Sequence, residues 1–274
     1  MKILSIDPEP VYTFDALIAD PGNPPKHVVL PVLRGKVDRL PGRLSALLIT
    51  GDLQAYTYDS LDVPAQHRTL LGEAIAVEMA QLGELTDILP NPLYTGVCIA
   101  GDMYAIETLD QMGGLGDVDG VWRRFLDHYR WVVGVGGNHD HFGGKPSTKN
   151  AFKRLGNIDA LDDEHVTYDE LCIAGVSGII GQKKKVWRRE EKSQLAMITR
   201  QLGHNPDVLI LHQGPNHPED HLRGSTAIRQ TIEAHQGPPP LVVCGHCHWK
   251  TPLATLDNGA QVLNVDFRVV VLEA

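Results

Sequence analysis

The sequence predicts an α/β fold from three features. Short apolar, β-branched runs recur along the chain, most end in a Gly or an Asp, and amphipathic helical patterns separate them. Such alternation marks βαβ units with a largely buried sheet. Residues 45–50 (SALLIT) read as a strand that ends at Gly51-Asp52, and a helical stretch follows from about 65 to 82. A second strand, 96–100 (GVCIA), ends at Gly101-Asp102. After a Gly-rich loop, a helix near 121–129 leads into a third strand, 131–135, which stops at Gly136-Gly137-Asn138-His139-Asp140.

The second half repeats the habit. A strand at 171–176 precedes a charged helix from about 189 to 202, and the strand at 207–211 ends at His212. A helix near 226–235, with Gly224-Ser225 as its cap, precedes a strand at 241–243 that ends at Cys244-Gly245-His246-Cys247-His248. The tail, 261–272, alternates and turns at Asp266 like a closing hairpin. With no linker or repeat, residues 1–274 read as one domain, with 1–44 an N-terminal segment packed on it. Pro21-Gly22, Pro24-Pro25 and Pro41-Gly42 make part of that segment loop-like.

Composition narrows the function classes. A formal net charge of −9 argues against a broad cationic surface for extended duplex nucleic acid. It leaves room for a small anionic substrate, because bound metals reverse the local field of acidic ligands. The apolar run before Asp7 is too short for a secretory signal, and no run approaches the ~20 residues that span a bilayer. A cytoplasmic protein without a membrane partner is therefore expected. Cys98, Cys172, Cys244 and Cys247 sit in apolar runs or beside a His pair, which suits reduced thiols.

Two-metal catalysis on a phosphate ester needs a carboxylate that bridges the ions, further oxygen and imidazole ligands, and an open position for water. The strand ends supply such a set. Asp and His are common, so the signal lies in their coincidence at five strand termini, where ligands of open α/β sheets collect. A Gly before Asp52, Asp102, Asn138 and His246 lets the backbone turn and approach the site.

These blocks resemble those of the calcineurin-like metallophosphoesterase superfamily: Asp-x-His, Gly-Asp, Gly-Asn-His-Asp/Glu, a lone His, and Gly-His-x-His. Here they stand as Asp52-Leu53-Gln54, Gly101-Asp102, Gly137-Asn138-His139-Asp140, His212 and Gly245-His246-Cys247-His248. The resemblance implies a four-layer α/β/β/α sandwich and two divalent ions, of Mn, Fe or Zn. One ion would take Asp52, Gln54, Asp102 and His248; the other would take Asp102, Asn138, His212 and His246, with Asp102 as the bridge. A water shared by the ions would become the nucleophile, and His139 would protonate the leaving oxygen.

The chain departs from the family at three points. Gln54 stands where His is usual, so it is either a neutral amide ligand or no ligand. Ile106 and Gly136 replace the arginines with which the Ser/Thr phosphatase branch clamps a dianion, and Ala105 replaces the Asp that pairs with the catalytic His. Asp140 and Asp119 are candidates to orient His139 instead. Loss of the clamp favours phosphodiesters, such as cyclic nucleotides or nucleic-acid ends, with small phosphomonoesters the alternative. Asp7-Pro8-Glu9 is a rival first block, set aside because the spacing from Asp52 to Asp102 to Asn138 is regular.

Other features carry competing readings. Cys244-Gly245-His246-Cys247 spells the C-x-x-C of a thiol-disulfide oxidoreductase, but a poor helix follows it. A non-catalytic metal-binding protein is a further alternative, which an intact His139 disfavours. Gly113-Gly114-Leu115-Gly116 lacks the Lys and Ser/Thr of a phosphate loop and reads as a flexible loop near the site. The run Lys183-Lys184-Lys185 with Trp187, Arg188 and Arg189 reads either as a solvated helix start or as a patch for a nucleotide base and phosphates.

Overall fold

The computed structural model describes residues 1–111, 113–143 and 156–274. Strands β1 (Ile3–Ile6), β2 (Tyr12–Ile18), β3 (Lys26–Val37), β4 (Ala46–Gly51) and β5 (Tyr56–Thr57) precede helix α1 (Leu71–Leu85). Next come β6 (Thr95–Ile99), β7 (Gly116–Asp117), helix α2 (Asp119–His128), β8 (Trp131–Gly134), β9 (Asp140–His141) and β10 (Ile158–Ala160). The second half supplies β11 (Glu164–Tyr168), β12 (Leu171–Val176), β13 (Ile179–Ile180), β14 (Arg188–Arg189), α3 (Glu191–Leu202), β15 (Val208–Gln213) and α4 (Thr226–Glu233). Strands β16 (Leu241–Gly245), β17 (Leu253–Thr255), β18 (Gln261–Asn264) and β19 (Arg268–Glu273) close the chain.

The fold is mixed α/β. Among the described residues, a nine-stranded sheet runs β10-β8-β6-β4-β19-β3-β2-β5, with β1 also paired to β3. A six-stranded sheet runs β11-β12-β15-β16-β18-β17. Strands β4, β6, β8 and β10 are mutually parallel, as are β12, β15, β16 and β18. Their carboxyl ends therefore point the same way within each sheet, which is why their polar termini can gather.

Period-two alternation sorts each central strand between two apolar environments. Leu48, Val97 and Val132 join Ile75, Met79, Trp122 and Phe125 of helices α1 and α2 in one cluster. Leu47, Ile49, Cys98 and Val133 point the other way and meet Ile173, Ile210, Val243 and Leu263 of the second sheet. The outer face of that sheet, with Ala174, Leu209 and Val242, packs on Ile198, Leu202, Ile228 and Ile232 of α3 and α4. Strands covered on both faces read as continuous apolar runs, and each of Ala46–Gly51 is buried. Helix α4 starts where its cap predicts: Ser225 Oγ accepts from the Ile228 N–H at 3.2 Å.

Three expectations need correction. Residues 1–44 contribute β1, β2 and β3 to the larger sheet, where β3 pairs with β19, so their strands are part of it. The tail is no hairpin: β18 pairs with β16 and β17, whereas β19 pairs with β4 and β3. The chain crosses from one sheet to the other at residues 265–267, and Phe267 has φ +52° at the crossing. The basic run is not a helix start, since Arg188–Arg189 pair with Ile179–Ile180 and α3 begins only at Glu191.

Candidate functional site

The strand ends converge as the sequence reading expects. Asp52 follows β4, Asp102 follows β6, Asn138 and His139 follow β8, His212 lies near the end of β15, and His246 follows β16. Asp52, Asp102 and His246 adopt left-handed backbone, with φ of +53°, +53° and +64°. That conformation strains a residue with a Cβ and concentrates at functional sites. A cavity of about 530 Å³ is lined by Asp52, Gln54, Asp102, His139, His246 and Asp266 on its polar side.

Hydrogen bonds hold the polar residues. The Asp52 carboxylate accepts from the His246 N–H at 2.9 Å, and Asp102 Oδ1 accepts from the His139 N–H at 2.8 Å. Each bond ties the loop after one strand to the loop after another. Two glycines are required by the close approach this demands. A Cβ at Gly245 would lie 1.9 Å from Asp52 Oδ2, and one at Gly137 would lie 1.9 Å from Asp102 Oδ1. Asp140, buried behind them, accepts from the backbone N–H groups of Asp102, Gly137 and Met103 at 2.7, 2.8 and 2.9 Å. Its carboxylate thus fixes the loops and does not reach the His139 ring. Asp119 is spent on Arg123.

Instead, His139 Nδ1 lies 2.5 Å from the carbonyl oxygen of Gly114. Since a carbonyl only accepts, Nδ1 carries the proton and donates it there. The glycine-rich loop thereby orients the imidazole and leaves Nε2 for other work. His212 uses the same device: Nδ1 donates to the Ala100 carbonyl at 2.8 Å, and Nε2 lies 3.2 Å from Asp102 Oδ2 without a hydrogen bond.

Ligand atoms of Asp102, His212 and His246 all lie within 4.8 Å of one another. Asn138, after β8, is buried, and its Oδ1 has no hydrogen-bond partner. Gln54 lines the cavity with a buried Nε2 that is also unpartnered; a half-turn of the amide would present Oε1 in its place. Orphaned buried polar atoms are rare and call for an ion or water. His248 stands apart: its side chain is 61% exposed, its Nδ1 lies 3.3 Å from Asp266, and it lines a neighbouring groove rather than the cavity.

The electrostatics favour positive charge. Burial, followed by repulsion from Asp266 and Asp102, pushes the Asp52 carboxyl well above its usual range, against the pull of His212. Burial also raises Asp266. Burial opposes ionisation of Asp102 too, but His212 and then His139 outweigh it and hold its pKa below the ordinary value. His212 is the counterpart: burial works against its charge, yet Asp102 and Asp52 lift it to about 10. His246, half-buried, is lowered to about 4 by its burial and by the neighbouring His212 cation, and is a neutral imidazole at neutral pH.

Asp266 was missed from sequence. It follows a buried strand, β18, as Asp102 follows β6, but the apparent hairpin disguised that likeness. The Asp7 alternative fails on position, since Asp7 lines the outer groove and not the cavity. In the basic run, Lys183 pairs with Glu190 at 2.7 Å, and Arg189 pairs with Asp162 at 2.6 Å. The Trp187 indole donates to the Asp140 carbonyl at 2.8 Å, so this ring is structural and no open stacking platform. Cys244 is buried, burial raises both Cys244 and Cys247 thiols, and no helix follows to lower them.

Fold and site together define a mixed α/β protein with an acid and imidazole cavity at the carboxyl edges of its sheets. No family model matches the chain, and no curated protein matches it. Among solved structures it is similar in fold to TT1561 of Thermus thermophilus, with 14% identity and a TM-score of 0.55 over 82% of this chain and 90% of that one. A protein of unknown function from Aquifex aeolicus, AQ665, aligns over 82% of this chain and 95% of its own at 12% identity, but with a TM-score of 0.35. Among the described residues, no helix is long and apolar enough to cross a membrane.

Proposed function

We propose that the chain is a metal-dependent phosphoesterase of the calcineurin-like type, with a four-layer α/β/β/α sandwich, and that phosphodiesters are its preferred esters. The observation that carries the reading is the pairing of Asp102, His212 and His246 within ligand reach with buried acceptors that no protein donor satisfies. Asn138 Oδ1 is such an atom, the buried His212 Nε2 also lacks a hydrogen-bond partner, and Asp52 and Asp266 add carboxylates that repel each other. Mixed oxygen and imidazole donors suit Mn, Fe or Zn.

Asp102, Asn138, His212 and His246 would hold one ion, and Asp52, Gln54 and Asp102 a second. Asp266 is the natural addition to the second set, in the place the family pattern gives to His248. Bound divalent ions supply Lewis acidity toward phosphoryl oxygens and acidify a coordinated water. The protein's own part is positional. Gly114 fixes the His139 tautomer, so that a proton held at Nε2 can pass to a leaving oxygen in the cavity. The left-handed turns at Asp52, Asp102 and His246 hold the ligands in place before substrate arrives.

Thiol-disulfide exchange is a weaker reading, because the Cys244 thiol is buried and its pKa raised. The test is hydrolysis of an aryl phosphodiester and an aryl phosphomonoester after chelation and after return of Mn²⁺. Turnover of the diester restored by metal is expected. Undiminished turnover in the fully chelated protein refutes the reading.

A further inference from the structure

The polar cavity has an apolar annex. Val29 and Phe267 line both the cavity and a second groove of about 640 Å³, so the two spaces adjoin at these residues. Strand β3 explains the groove. Leu30 and Val32 face the helical core, while Val29, Pro31 and Leu33 face the other way, and all three line it. Leu33 still reaches the core between the sheets, but Val29 is 52% exposed. Across the groove lies Leu253 of β17, the end strand of the smaller sheet. The inter-sheet core thus runs out beside the candidate metal site, leaving an uncovered apolar trough.

Four charged or polar residues line the trough, the exposed Asp7 and Lys250 and the committed Arg268 and His248. The Arg268 guanidinium donates to the carbonyls of Trp249 and Asp266 at 2.5 and 3.4 Å, and His248 leans on Asp266. Phe267 and the exposed His248 are its aromatic rings, and aliphatic and proline carbons make up most of the rest. That lining offers little to a sugar or a base, which needs hydrogen-bond partners or stacking faces. It fits a flexible hydrocarbon chain.

We infer that the groove binds the aliphatic chain of an amphiphilic phosphoester whose phosphate lies in the cavity. Val29 and Phe267 form the junction, and Pro31, Leu33 and Leu253 form the chain's bed. The inference rests on the phosphoesterase reading for the phosphate end, and on the adjacency of the two spaces at Val29 and Phe267 for the chain end. Selectivity follows from apolar transfer. Each methylene moved from water into the bed is worth ~0.8 kcal/mol, about a fourfold gain in affinity, until the chain outgrows the groove.

The test is calorimetric titration of Mn²⁺-loaded protein with methyl, butyl, hexyl and octyl phosphate, and with 1-hexanol as a probe lacking the anion. Affinity should climb with chain length at up to about fourfold per methylene, and hexanol should bind more weakly than hexyl phosphate. Leu253→Gln should flatten the climb. Val29→Gln, at a position 52% exposed, should do so independently. Affinity independent of chain length, or a climb unaltered in both variants, overturns the groove. Equal binding of hexanol and hexyl phosphate overturns its link to the cavity. Hydrolysis of methyl 4-nitrophenyl phosphate is followed in parallel. Metal-restored turnover without any chain-length effect rejects the groove and keeps the phosphoesterase reading, whereas graded binding without turnover of any ester does the reverse.

Discussion

Gly245→Ala isolates the close approach between two loops of the candidate metal site. Gly245 does not have a left-handed backbone, so an alanine there meets a steric objection only. Its Cβ would stand 1.9 Å from Asp52 Oδ2, against ordinary contact at 3.4–4 Å, so the carboxylate must retreat by roughly 1.5 Å. That retreat breaks the bond from the His246 N–H. Overpacking costs ~1–3 kcal/mol, and loss of a hydrogen bond to a charged group adds ~1.5–3. The sum, ~2.5–6 kcal/mol, corresponds to a fall of roughly 5–24 °C in Tm at ~2–4 °C per kcal/mol. Metal affinity should fall with it, because Asp52 is displaced from the cavity.

Gly120→Ala is the matched control. Gly120 lies in α2, where an added Cβ meets only the flexible end of Glu73 at 2.9 Å, so the gain in helix propensity should leave Tm unchanged or raise it slightly. Thermal unfolding and metal titration of both variants decide the matter. Wild-type Tm and wild-type metal affinity in Gly245→Ala would refute the argument.

Three further outcomes are expected. His139→Ala should lower kcat toward aryl phosphodiesters by ~10² to ~10⁴ while metal occupancy is kept, with a smaller loss for very acidic leaving groups; loss of metal instead would make the residue structural. Gln54→His should tighten the weaker of two metal-binding steps and Gln54→Ala should weaken it by ~10 to ~100-fold; a titration in which neither moves that step removes Gln54 from the ligand set. Arg130 holds both carboxylate oxygens of Asp169 at 2.6 Å, and this pairing, helped by the Trp131 N–H, depresses the Asp169 pKa. A depressed carboxylate contributes stability above its unfolded value of 3.8 that is lost as pH falls through the folded value, so Arg130→Met should raise the midpoint of acid unfolding. An unchanged midpoint would count against it.

The strands and most residues of the candidate site were legible because their signals are local. A buried parallel strand must be apolar throughout, so runs such as SALLIT and GVCIA mark themselves, and the polar residue that ends each run marks the sheet's carboxyl edge. Helix α4 declares its start through Ser225, whose hydroxyl satisfies the N–H of Ile228 within the same turn of chain and needs no tertiary contact to do so. The positions of Asp52, Asp102, Asn138, His139, His212 and His246 follow from the same rule of strand ends.

What the tertiary structure alone decided is every relation between segments distant in the chain. Two alternating runs joined at Asp266 look alike whether they pair with each other or with different sheets, because the side-chain period is two in either case; only the partners available to their backbone N–H and C=O groups choose. That choice put β18 and β19 in separate sheets and carried Asp266 into the cavity. Likewise, no spacing tells which carbonyl will meet the His139 ring, since Gly114 lies 25 residues away and reaches it through the folded loop. The apolar trough exists for the same reason: Val29 and Leu253 are ordinary strand residues in sequence, and they border a groove because the smaller sheet ends at β17 while the larger one continues past β3.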